Sequence, residues 1–187
     1  MKMRLLFFML LCTVLTWPLF TSTSCSSVKH LAAFDVTYTF PKVYFSYGKK
    51  SQKLPELTLY TGKLSVNMDS ILSANHIPSG IFTSAYLSRL AMVITAPPKA
   101  TFNWLKSVRM VGSVDSTFLQ VTELGSDTAV NPLATRIDLA LNKIDIKPIF
   151  FKNSYYLRIL ATPSGQLPDS TMNIYLDSQI RLHIEPL

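Results

Sequence analysis

Met172-Asn173-Ile174-Tyr175-Leu176-Asp177-Ser178-Gln179-Ile180-Arg181-Leu182-His183-Ile184 is the stretch that decides the fold. Met172, Ile174 and Leu176, then Ile180, Leu182 and Ile184, occupy alternate positions, and Arg181, His183 and Glu185 fall between or after the second set. An extended backbone sends successive side chains to opposite faces, so each run reads as a strand with one face buried and one wet. The stretch predicts a closing pair of strands.

The same period recurs upstream. Phe34, Val36, Tyr38 and Phe40 alternate with Asp35, Thr37 and Thr39, and Leu64, Val66 and Met68 alternate with Lys63, Ser65 and Asn67. Ile137, Leu139 and Leu141 alternate with Arg136, Asp138 and Asn142, while Leu87 to Ile94 is apolar and β-compatible without a clear period. Shorter candidates lie at 42–47, 57–60, 108–114, 118–124 and 155–162. Turn signals separate them, among them Gly48-Lys49-Lys50, Pro78-Ser79-Gly80, Pro97-Pro98, Gly125-Ser126-Asp127 and Pro163-Ser164-Gly165. Many short strands at close spacing predict an all-β antiparallel β-sandwich, and their length and irregularity argue against a transmembrane barrel. Helical signal is confined to two places. Asp69 is positioned to cap a turn through Asn75, and Ala100 to Ser107 has room for two turns with Phe102, Trp104 and Leu105 inward. Neither is long enough to stand without tertiary support.

The chain has 187 residues, of which 48% are hydrophobic and 16% charged, against roughly 25% charged in an average domain. That balance excludes an intrinsically disordered chain, and two cysteines exclude a disulfide-built scaffold. Part of the hydrophobicity lies at the N-terminus. Lys2 and Arg4 precede an apolar run from Leu5 to Cys12 that fades through Val14, Leu15, Trp17 and Phe20 into Thr21-Ser22-Thr23-Ser24-Cys25-Ser26-Ser27. A charged start, a short apolar stretch and a small-residue exit predict a secretory signal peptide. The stretch contains Pro18 and falls short of the roughly 20 residues a spanning helix needs. The expected organisation is a signal peptide at 1–24, a tether at 25–33 and one domain at 34–187. Without the leader the net charge drops from +7 to +5, because Lys2 and Arg4 are removed and no acid is.

Ser22, Thr23 and Ser24 directly before Cys25 resemble the lipobox of bacterial lipoprotein precursors, in the serine-rich form of Bacteroidota. The resemblance implies cleavage before Cys25, acylation of its thiol and attachment to a membrane through the acyl chains. The usual leucine three residues before the cysteine is replaced by Ser22. Ser26 is not the aspartate that retains many lipoproteins in the inner membrane, and no acidic run follows Cys25. The resemblance therefore implies an outer-membrane, periplasm-facing lipoprotein of the cell envelope. The segments Leu90 to Pro98, Thr101 to Val108 and Met172 to Ile184 are similar to small β-sandwich lipoproteins without assigned function, and this likeness implies a fold and no site residues.

Catalytic and metal signals are sparse. There is no Gly-x-Ser-x-Gly elbow, and Ser-x-x-Lys occurs at both Ser26–Lys29 and Ser46–Lys49 without its partner motifs. His30, His76 and His183 are far apart. His183 and Glu185 share a strand face, which is read as a wet face rather than a metal site. Asp138 and Asp145 flank one strand, and Asp169 and Asp177 bracket another, with no motif that converges them. No cofactor is expected.

One basic and aromatic patch stands out: Lys42, Tyr44, Tyr47, Lys49 and Lys50, extended by Lys53. Lysines beside tyrosines suit an envelope protein surface, anionic headgroups or an anionic glycan. Nucleic acid is not an expected partner of an exported chain. The plainer reading is a hairpin with Val43 and Phe45 on one face, Tyr44 and Ser46 on the other, and lysines keeping the loop soluble. The expectation is a lipid-anchored, non-enzymatic binding or structural module. The alternative is an envelope hydrolase or carbohydrate-active protein with a site built from scattered acids.

Overall fold

The computed structural model describes residues 33–48, 55–150, 154–165, 167–168 and 170–185. The expected leader, Cys25, His30, Lys49, Lys50, Lys53 and Asp169 lie outside these residues. Among the described residues the chain is an all-β antiparallel β-sandwich of two five-stranded sheets with two short α-helices and one 3-10 turn at Ser79–Ile81. The first sheet contains β1 (Phe34–Thr39), β2 (Val43–Tyr47), β4 (Phe82–Ala96), β7 (Arg136–Asp138) and β10 (Met172–Ile184). Its order is β1-β10-β4-β7, and β2 pairs with β10 on the same side as β1. The second sheet runs in the order β3 (Leu57–Ser65), β9 (Ser154–Pro163), β5 (Leu105–Ser113), β6 (Thr122–Asp127) and β8 (Ala140–Leu141). Inward residues of both sheets, among them Leu176, Ile180, Ile159 and Met110, join one apolar cluster.

The predicted closing pair of strands is one strand of 13 residues, β10. Its two apolar runs share a parity, so Ser178 simply continues the inward row between them. Opposite it, the apolar segment that showed no period is part of the 15-residue β4. The absence of a period has a structural cause. The β4–β10 register shifts at three places, and at each one β4 carries an additional residue: Thr83, Ser88 and Thr95. These bulges let Phe82, Ala85, Leu87, Leu90, Met92 and Ile94 stand opposite Ile184, Leu182, Ile180, Ser178, Leu176 and Ile174 despite their uneven spacing. Each bulge residue is hydroxylated, and each hydroxyl bonds β10 at its own shift. Thr83 Oγ1 donates to the His183 carbonyl at 3.2 Å, Ser88 Oγ to Gln179 Oε1 at 3.2 Å, and Thr95 Oγ1 to the Asn173 carbonyl at 3.1 Å. The expectation of short strands fails for β4 and β10, where bulges let a long strand keep its apolar side chains on one face.

Three other local expectations are corrected. The alternating stretch from Arg136 to Asn142 is not one strand. It crosses from β7 in the first sheet to β8 in the second, with Ile137 and Leu139 buried and the Leu139 N–H donating to the Leu90 carbonyl at 2.9 Å. Gly125-Ser126-Asp127 is not a turn but the end of β6. Gly125 is required there because a Cβ would sit 2.8 Å from the Ala140 carbonyl oxygen. Ala100 to Trp104 forms turns rather than a helix and leads into β5 at Leu105, although Phe102, Trp104 and Leu105 are buried as expected.

The helix α1 spans Met68–Ala74 and buries Met68, Ile71 and Leu72. Its cap is Asn67, whose side chain accepts from the Ser70 N–H at 2.9 Å, and Asp69 sits inside the first turn instead. A second helical turn, α2 (Lys147–Phe150), was not visible in the sequence. Asp145 builds it by accepting from the N–H groups of Lys147 and Ala85, both at 2.9 Å, which ties the turn to β4.

Burial raises the phenol pKa of Tyr47, Tyr60 and Tyr155 above the ordinary value of 10.0. The folded chain therefore holds phenolic protons that the unfolded chain releases near that value. Stability should be full below about pH 10 and fall as the pH rises through the folded values, because the native state then binds more protons than the unfolded one. Urea midpoints measured from neutral pH to about pH 11, with phenolate absorbance recorded in parallel, check this. An unchanged midpoint over that range contradicts it.

Candidate binding face

The outward side of β10 is a row of polar side chains, each braced to a neighbouring strand. Asn173 accepts from Ser46 Oγ on β2 at 2.7 Å. Gln179 donates to Thr39 Oγ1 on β1 at 3.0 Å and accepts from Ser88 on β4. Asp35 on β1 lies 2.8 Å from His183 Nδ1 and 3.8 Å from Arg181 Nε. The alternation that buries Ile174 to Ile184 necessarily sets these groups on the opposite face.

Charge on this face is largely compensated. Asp177 lies 3.2 Å from Arg89 and 3.6 Å from Arg136, and Arg136 holds Asp138 through Nη2–Oδ1 at 2.7 Å and Nε–Oδ1 at 2.9 Å. The hydrogen bond from Arg136 holds the Asp138 carboxyl below its usual range, and the same bond raises the guanidinium pKa. Around these pairs sit two rings. Tyr44 is 67% exposed and tilts against Tyr175 with 5.7 Å between centroids, and the Lys42 ammonium lies 4.2 Å from the Tyr175 ring centre.

The structure brings two members of the expected patch, Lys42 and Tyr44, to this face. Lys49, Lys50 and Lys53 lie outside the described residues. Tyr47 does not belong to the patch. It is 2% exposed and stacked on Trp104 with centroids 5.0 Å apart and planes 2° from parallel. Its parity puts it with Val43 and Phe45, both packed against the core, and that parity was readable in the sequence. The two faces of the plainer reading, Val43 and Phe45 against Tyr44 and Ser46, match the burial pattern, but no hairpin follows among the described residues: β2 pairs with β10, and the next strand, β3, belongs to the second sheet.

Of the scattered acids within the described residues, Asp138 and Asp177 meet at the Arg136 guanidinium, at 2.7 and 3.6 Å, and Asp145 lies elsewhere. Asp138 and Asp177 are held by arginines, and Asp145 caps α2. Asp115, which the sequence did not single out, organises the turn after β5. It accepts from the Thr117 hydroxyl, which is the main reason its pKa is lowered, and from the N–H groups of Thr117 and Phe118. No group of three His, Cys, Asp or Glu residues suited to a metal occurs among the described residues. A hollow of about 210 Å³ on the second sheet is bordered by Glu56, Glu123 and Asp127, and there Glu56 is paired with Arg109 at 3.0 Å. A larger one of about 610 Å³ lies beside Pro97–Thr101 and Asn103.

No family model matches the chain, and no curated protein matches it. Among solved structures it is similar to the VP2 subviral particle of infectious bursal disease virus, at 12% identity over 82% of this chain and 33% of that one, with a TM-score of 0.37. The Gt strain of the same virus gives 12% identity, 82% and 32% coverage and a TM-score of 0.41. Desmodium yellow mottle tymovirus gives 17% identity, 83% and 90% coverage and a TM-score of 0.30. The chain spans about a third of the length of the first of these. The fold assignment rests on the strand pairing described above.

Proposed function

We propose that this protein is an exported, lipid-anchored module of the bacterial cell envelope, held at the periplasmic face of the outer membrane through Cys25. In this reading the β-sandwich binds or braces a partner and performs no catalysis. The anchor rests on the charged start, the short apolar run and the small residues before Cys25. Two or three acyl chains, at about 0.8 kcal/mol per buried methylene, would hold the domain on a bilayer almost permanently. The observation that carries the binding role is the outer face of β10, where polar side chains are pre-bonded to their neighbours and Tyr44 stands exposed among them. Such a face presents groups of defined geometry whose ordering entropy is already spent.

Mass spectrometry of the mature N-terminus, with fractionation of Cys25→Ala, tests the anchor. The expected result is an acylated Cys25 at position one and release of the variant from the membrane fraction. An unmodified Cys25, or a start elsewhere, overturns it. A second reading, a hydrolase, has one observation in its favour, the hollow bordered by Glu56, Glu123 and Asp127. It requires that Glu123→Gln abolish an activity of the protein, and the module reading expects no such loss.

A further inference from the structure

The strand registers place four residues in one line across the first sheet: Tyr44 opposite Tyr175, Tyr175 opposite Val93, and Val93 opposite Arg136. Three strand spacings make that line roughly 14 Å long, room for about two or three pyranose rings end to end. The next row, Asp177, Ala91 and Asp138, sets two carboxylates beside it. The line begins at an exposed ring, crosses the half-buried Val93, and ends at a guanidinium–carboxylate pair that is still partly open, with Arg136 38% and Asp138 65% exposed.

We infer that this row is a platform for a neutral polysaccharide. The inference rests on the binding role proposed for this face and names its ligand class. A tyrosine face is electron-rich, and the axial C–H groups of a pyranose carry partial positive charge, so the two stack. Lys42 lies against the Tyr175 ring, which leaves Tyr44 as the outer surface for such stacking. At the other end, Arg136 donates and Asp138 accepts from fixed positions, which matches the hydroxyl pairs of a sugar ring.

Charge selects the class within the glycans. Arg89 and Arg136 face Asp177 and Asp138, and Arg181 and His183 face Asp35. An anionic chain would have to compete with these carboxylates for the arginines and His183, with Lys42 seated on the Tyr175 ring instead of an acid, whereas a neutral one leaves each pair intact and bonds to its outer edge. The face also lacks the apolar centre that a protein partner would bury: its large exposed side chains are Tyr44 and Tyr86, both with hydroxyls.

Affinity electrophoresis of the protein, purified in detergent with its Cys25 anchor, through gels containing mannan, mixed-linkage β-glucan, xylan or the anionic alginate tests this. Retardation by at least one neutral polymer and weaker retardation by alginate are expected. Tyr44→Ala should raise the dissociation constant about tenfold, while Tyr44→Phe, which keeps the ring face, should change it less than about threefold. Asp138→Asn, which leaves an acceptor in place, should fall between the two. Circular dichroism of each variant establishes that it is folded. Absence of retardation in every neutral gel, stronger binding to alginate, or equal binding by folded Tyr44→Ala overturns the inference. Photo-crosslinking from position 44 in intact envelopes separates the two levels. Capture of a defined protein there, with no glycan binding, refutes the ligand class and leaves the face in use. No crosslink and no effect of Tyr44→Ala refute both.

Discussion

Deleting Ile180 should abolish folding, whereas deleting Ser88, its near neighbour across the sheet, should leave a folded domain. Along β10 the inward row runs without interruption through Ser178, Ile180, Leu182 and Ile184. Removing one residue there sends Leu182 and Ile184, both fully buried, to the wet face and turns Arg181 and His183 into the core. Exposing two such side chains costs about 1.5–3 kcal/mol each, and burying an unpaired guanidinium costs several more, against a total stability of about 5–15 kcal/mol. Ser88 is different because it is the additional residue of a bulge. Its loss converts the three-residue step between Leu87 and Leu90 into the two-residue step of a regular strand, so every inward side chain keeps its face. The expected cost is the Ser88–Gln179 hydrogen bond and some local twist, about 1–2 kcal/mol. Urea unfolding of both deletion variants checks this. A folded Ile180 deletion, or an unfolded Ser88 deletion, would show that the register does not govern the fold.

Trp104→Ala should destabilise the domain by about 3–5 kcal/mol, the usual range for a large aromatic removed from a closed core. Trp104 is 0% exposed, stacks on Tyr47 and lies 6.4 Å from Phe102, so its removal opens a cavity at the junction between β2 and the turn into β5. The indole N–H has no hydrogen-bond partner among the described residues. Trp104→Phe keeps an aromatic ring against Tyr47 and removes less volume, and should cost less than half as much as the alanine variant. Equal losses for the two variants in urea titrations would mean that the indole nitrogen, and not the packed ring, holds this site.

The same residues show why some features were legible in the sequence and others were not. Strand character follows from alternation, which is local, so β1, β2 and β10 could be read from residue order alone. The inward position of Tyr47 is equally local, because it shares the parity of Val43 and Phe45 and not that of Lys42 and Tyr44. The face that Tyr44 and Lys42 join was half legible: the tyrosine and lysine were visible, but their neighbours Tyr175, Arg136 and Asp177 come from strands some 90 to 135 residues away. Compensation of the arginines on that face depends on those pairings and leaves no mark in local sequence.

What the sequence by itself determined is the parity of the regularly alternating strands β1, β2 and β10, because side-chain direction on an unbulged extended backbone depends only on position and the apolar set must turn away from water. That parity made the chain a sandwich and decided which side chains of β10 meet solvent. What only the tertiary structure decided is where strands pair and where pairing must yield. Thr83, Ser88 and Thr95 are ordinary hydroxyl residues until β10 lies opposite them, and then each becomes the residue by which β4 exceeds its partner. Gly125 looks like a turn until the Ala140 carbonyl approaches it, and the alternation from Arg136 to Asn142 is divided between two sheets. The physical reason is that register, close approach and sheet crossing are set by contacts between segments distant in the chain, and a local pattern carries no information about its partner.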